Sequence, residues 1–131
     1  MKITYLDPMA DHTPNVSTAW YSIWRDYLSF HIEVKAVNSQ VPVSMIERNN
    51  KDGGRAWWDT PKFAAEVDKL ISLIRQSDEF TAVLLLKGEG KYTVIDGHHR
   101  ISAWTKMELG DMLGKIIPAV IVTTTPVPRI L

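Results

Sequence analysis

Asp96-Gly97-His98-His99-Arg100 puts an acid, a glycine, two imidazoles and a guanidinium into five consecutive residues. Ile101, Trp104 and Met107 follow at helical spacing and Val94-Ile95 precede as a strand end. The spacing predicts a helix over residues 97 to 109, entered directly from a strand. Basic side chains in a first helical turn face the positive end of the helix dipole, at a cost of about 0.3 to 1 kcal/mol each when charged. An anion held by the first-turn N–H groups would offset that cost. Gly97 would let a phosphate approach the backbone, and Arg100 would supply a forked donor. A ligand-free arrangement competes, in which Asp96 caps the helix and pairs with Arg100 while the histidines stay on the surface.

A carboxylate beside a phosphate repels it unless a cation or proton lies between them. Asp96 therefore has three readings: a ligand of Mg²⁺ against the phosphates, a base that takes a proton from an attacking hydroxyl, or an N-cap with no ligand at all. In the first two, Asp96, His98, His99 and Arg100 are the catalytic candidates, and Gly97, His98, His99 and Arg100 bind the phosphates. Zinc is not expected, because adjacent histidines on a helix point apart and no nearby His or Cys completes a tetrahedral set.

A second basic position lies in the loop Asn49-Asn50-Lys51-Asp52-Gly53-Gly54-Arg55. Arg55 could swing over bound phosphates from the side opposite Arg100, or remain a solvated loop residue. Trp57-Trp58 follow, and two adjacent tryptophans do not easily share one core. One is a candidate to stack on a base or meet a protein partner, against the alternative that both cover the next helix.

Several elements must position these residues. Thr60-Pro61 opens a helix with a hydroxyl cap and a proline at its first position, and Phe63, Val67, Leu70, Ile71 and Ile74 give it one apolar face ending near Ser77. Thr81 to Leu86 and Lys91 to Ile95 are predicted to form a β-hairpin about Gly88-Glu89-Gly90, and Ile116 to Thr124 a closing strand. Ile32 to Val37 and Val41 to Ile46 are predicted as two further strands, the second near an edge because of Pro42. Trp20, Ile23, Trp24, Tyr27 and Leu28 recur at helical spacing as a short aromatic helix. These elements imply an α/β (α+β) fold: a small mixed sheet with packed helices, in a single domain over residues 41 to 131. Residues 1 to 40 form an N-terminal segment packed on it.

A length of 131 residues, 45% of them hydrophobic and 23% charged, suits one ordinary globular core. The absence of cysteine excludes a disulfide framework and any thiol nucleophile. Together with the lack of a long apolar run it predicts a cytoplasmic protein without membrane attachment. Fifteen basic and fifteen acidic side chains leave no net field to attract a polyanion, so nucleic acid is a partner only through a local patch.

The Asp96-to-Arg100 run, with Ala103 three residues on, resembles the Gly-x-x-Arg signature shared by ParB N-terminal domains, sulfiredoxin and the ParB-like free serine kinases. The order of parts agrees. Val41 to Ile46 resembles the opening strand of that superfamily, Arg55 falls near its first basic box, Phe63 to Ile74 resembles its first core helix, and Ile117 to Val122 its closing strand. The similarity spans about residues 41 to 123. It implies a site that binds a nucleoside triphosphate or diphosphate, with the phosphates at the corner helix.

Reactions differ between branches of the superfamily. His98 stands where sulfiredoxin has its cysteine, which removes sulfiredoxin chemistry. No helix-turn-helix follows, which argues against a chromosome-segregation clamp. The Asp-Gly-His-x-Arg form sits closest to the serine kinases, and Glu47 is the candidate for their catalytic glutamate, as an acid or base. The expectation is phosphoryl transfer or nucleotide hydrolysis with Mg²⁺. The alternatives are a metal-dependent nuclease using the same corner and a non-enzymatic protein-binding member of the fold.

Overall fold

The computed structural model describes residues 1–6, 32–48, 59–107 and 115–126. The aromatic helix expected near Trp20 and the loop carrying Lys51, Arg55, Trp57 and Trp58 lie outside the described residues.

Two strands with nearly continuous apolar sequence, β5 (Val83–Lys87) and β7 (Ile116–Pro126), lie inside a five-stranded mixed sheet. Both of their faces are covered, which is why the apolar run does not alternate. Val83 and Leu85 of β5 and Ile117 and Ala119 of β7 face the helices. Leu84, Val120 and Val122 face the other side, under Ile3 and Tyr5. The strand order is β2-β7-β5-β6-β3, with β2 Ile32–Pro42, β3 Ile46–Glu47 and β6 Tyr92–Asp96. β2–β7 and β5–β6 are antiparallel, and β5–β7 and β3–β6 are parallel. The result is the mixed α+β architecture expected from the sequence.

Helix α1 (Pro61–Ser77) begins as its capping residues dictate: the Thr60 hydroxyl accepts from the Phe63 N–H at 3.3 Å and proline occupies the first turn. It ends at Asp78, whose left-handed backbone (φ 53°) sends its N–H back to the Ile74 carbonyl at 2.8 Å. Phe63, Val67, Ile71 and Ile74 are its buried face. Thr60→Ala should lower the unfolding free energy by about 1 kcal/mol, read from the urea midpoint with an unchanged slope. Helix α2 (His98–Met107) buries Ile101, Ala103 and Trp104. The Trp104 indole donates to the Ile116 carbonyl at 3.0 Å and its ring meets Phe80 at 4.6 Å, which ties α2 to the start of β7 and to the sheet below.

Three expectations change in detail. The strands predicted over Ile32 to Val37 and Val41 to Ile46 are one eleven-residue strand, a 3-10 turn at Val43–Met45 and a two-residue strand. Full pairing with β7 carries the polar stretch Asn38-Ser39-Gln40 through as strand, and the turn comes just after Pro42. Thr81 does not belong to the hairpin: β4 (Glu79–Thr81) pairs in parallel with β1 (Lys2–Thr4) in a separate two-stranded sheet. The break falls at Ala82, whose N–H turns to the Thr4 carbonyl at 2.8 Å. Helix α2 is described from His98 to Met107, inside the predicted range. Among the described residues no helix is long and apolar enough to cross a membrane.

Candidate functional site

β6 and α2 are separated by one residue, Gly97. Upstream, the β5–β6 register slips: Leu84 faces Asp96 while Leu85 faces Val94, so Ile95 is the extra residue of a bulge. Such a bulge re-aims the residues that follow it, here the corner itself. Gly97 has φ +120°, and a Cβ there would lie 2.7 Å from Val83 Cγ1 and 2.9 Å from Val83 Cβ. The glycine therefore meets a demand of packing and of backbone angle, independent of any ligand.

Asp96 and Arg100 form an i,i+4 ion pair at 2.9 Å (Oδ2 to Nη2), with side chains 20% and 14% exposed. Arg100 Nη1 also donates to the carbonyls of Thr81 at 3.1 Å and Ala82 at 2.9 Å, the residues where β4 breaks from β5. Burial pushes the Asp96 carboxyl above the usual carboxylate range, against the opposing pull of the Arg100 guanidinium, the Gly97 N–H and His99. Burial likewise lowers Arg100 from its usual value, against Asp96. Desolvation thus works against both charges, the ordinary condition of a buried pair.

The two histidines diverge, as their adjacency on a helix requires. His99 Nε2 lies 2.6 Å from Glu66 Oε2 on α1, and its ring packs on Phe63 at 4.3 Å. His98 is gripped by Arg48: the guanidinium Nε donates to His98 Nδ1 at 3.2 Å and Nη2 donates to the His98 carbonyl at 2.6 Å. Arg48 also lies over the Phe63 ring, 5.8 Å from its centroid. Burial lowers its pKa and Asp59 raises it. Neither Arg48 nor Glu66 stands out in the sequence, because they lie 50 and 33 residues from their partners. The one local signal is that Arg48 directly follows β3, the strand whose neighbour, β6, carries the corner.

The corner opens into a cleft of about 680 Å³. Asp96, Gly97, His98, His99 and Arg100 line it together with Ile95, with Glu79, Phe80 and Thr81 of β4, and with α1, which contributes Ser77 and an apolar wall of Leu70, Leu73 and Ile74. Leu73 is 61% exposed, an apolar side chain left open on that wall. The structure thus brings five of the seven candidate residues together. Glu47 is exposed at the end of β3, opposite Thr93 of β6, and does not line the cleft. Arg55 lies outside the described residues.

Among the described residues, no three His, Cys, Asp or Glu side chains cluster as a metal site. A Mg²⁺ ion held by one carboxylate, ligand phosphates and water suits that donor set. Asp96, which already accepts from Arg100, would be the carboxylate that holds such an ion.

No family model and no curated protein matches the chain. Among solved structures it is similar to a free serine kinase in complex with AMP, at 23% identity and a TM-score of 0.45, over 64% of this chain and 30% of that one. It is also similar to sulfiredoxin from Arabidopsis thaliana, at 20% identity and a TM-score of 0.45, over 65% of this chain and 83% of that one. The chain therefore spans less than a third of the kinase it matches. At such identities and scores the likeness is a coarse one of chain path.

Proposed function

We propose that the cleft binds a nucleotide, its phosphates at the N-terminus of α2 and its base along Leu70, Leu73 and Ile74, and that the site transfers or hydrolyses a phosphoryl group. The observation that carries this reading is the cleft itself, which joins a helix N-terminus flanked by histidines to an open apolar wall on one continuous surface. N–H groups aimed along a helix axis suit phosphate oxygens, and an apolar wall suits the face of a base.

Within that reading, His98 and His99 contact phosphate. Two of the five Arg100 N–H donors are not used by Asp96, Thr81 and Ala82, and the reading assigns these to the anion. Asp96 holds Mg²⁺ or accepts the proton of the attacking hydroxyl, and its raised pKa suits the second role better than an ordinary surface carboxylate would. Bound Mg²⁺ would neutralise charge on the phosphates.

Thermal unfolding against ATP, ADP, CTP, GTP and phosphate, each with and without Mg²⁺, tests the binding half. A ligand at a hundredfold excess over its dissociation constant should stabilise the fold by about 2.7 kcal/mol. No shift with any of them would remove the proposal. Asp96→Asn tests the catalytic half: one oxygen remains for Arg100 or the Gly97 N–H, but the proton acceptor and the full charge are lost. Turnover should fall by about a hundredfold or more on the folded protein. Undiminished turnover leaves Asp96 as a structural partner of Arg100 alone.

A further inference from the structure

We infer that Arg48 is a positioning residue that holds His98 as a neutral Nε2–H donor at the phosphate end of the cleft. The inference rests on the nucleotide-binding reading above for the role of that donor, but the grip itself is independent of it.

A guanidinium has no acceptor, so its Nε–H can meet His98 Nδ1 only as a donor to a bare ring nitrogen. The proton of the neutral imidazole is then on Nε2. The second bond, from Nη2 to the His98 carbonyl at 2.6 Å, fixes the backbone of the same residue, so ring and main chain are held by one planar group. Arg48 is held in turn by the Phe63 ring beneath it and by the charge of Asp59.

The two residues also lie on different surfaces. His98 lines the cleft and Arg48 does not, whereas Arg48 lines a separate groove of about 370 Å³ with Val43, Ile46 and Ile101, and His98 does not. The two ring nitrogens flank Cε1 and their outward directions diverge, so with Nδ1 turned to Arg48, Nε2 is turned away from it. A bond to one ring nitrogen fixing the chemistry of the other is a general property of histidine sites.

Long-range ¹H–¹⁵N NMR of the His98 ring in the full chain at one neutral pH reads the tautomer directly, and calorimetric titration with inorganic phosphate reads the consequence. The unchanged chain should show Nδ1 bare and only the Nε2–H form. Arg48→Met keeps the apolar stem over Phe63 and removes the donors, so the Nδ1–H form should appear and phosphate affinity should fall about tenfold, the scale of one hydrogen bond to a charged group. Arg48→Lys should recover part of both. Nδ1–H in the unchanged chain, or an Arg48→Met chain in which either the tautomer or the affinity stays as before, overturns the inference. If the unchanged chain binds no phosphate, the functional reading falls, and the NMR comparison alone then decides the grip.

Discussion

Gly97→Ala should be among the most damaging single substitutions in the chain, lowering the unfolding free energy by roughly 3 kcal/mol or more. Two independent costs add at this position. An L-residue held at φ +120° sits in a region that only glycine enters readily, and the new Cβ would lie 2.7 Å from Val83 Cγ1. Val83 cannot move aside, since it is 0% exposed in the centre of the sheet. A double-mutant cycle separates the terms: Val83→Ala makes room for the methyl group but leaves the backbone angle strained. The double variant should be more stable than the sum of the single effects predicts, by about 1 kcal/mol or more. Strict additivity would show that the backbone angle alone sets the cost. A Gly97→Ala chain as stable as the unchanged one would mean that the corner adopts another path.

The corner was legible from sequence because its signals are local. A strand, one glycine and a helix follow from the apolar spacing around Asp96-Gly97, and the cap at Thr60 and the apolar face of α1 follow from residues within a few positions of each other. The separate pairing of β1 with β4 was not legible, because three-residue strands carry little pattern and their partner lies more than 70 residues away. Nor was the extension of β2 through Asn38, Ser39 and Gln40, where an eleven-residue ladder with β7 outweighs local propensity.

The charges show the same division. Sequence alone places three basic residues against the helix dipole and asks what offsets them. The structure answers largely from within the protein: Asp96 faces Arg100, Glu66 faces His99, and Arg48 meets the bare nitrogen of His98. A bound anion is therefore not required to stabilise the corner. The case for a ligand rests instead on the cleft that opens from it, which no local pattern reveals.

Arg100 is where these internal contacts have their largest measurable effect. Its place in the first turn suggests a phosphate ligand whose removal would leave the fold almost untouched. Its contacts predict otherwise. Arg100→Met leaves the Asp96 carboxylate, only 20% exposed, without its cation, and takes the donor from the Thr81 and Ala82 carbonyls where the two sheets part. Removing one partner of a fully buried ion pair costs about 3 to 5 kcal/mol, an upper bound for this part-buried one. We therefore expect a loss approaching that size in the urea unfolding free energy, measured without ligand. Adding Asp96→Asn to Arg100→Met removes the stranded charge and should restore part of the loss. Phosphate titration of the folded fraction of Arg100→Met then isolates the binding contribution. If the variant is as stable as the unchanged chain and only its phosphate affinity falls, Arg100 serves the ligand and its bonds to Asp96, Thr81 and Ala82 are incidental. If both fall, the same side chain closes the junction between the sheets and presents its remaining N–H donors to the cleft.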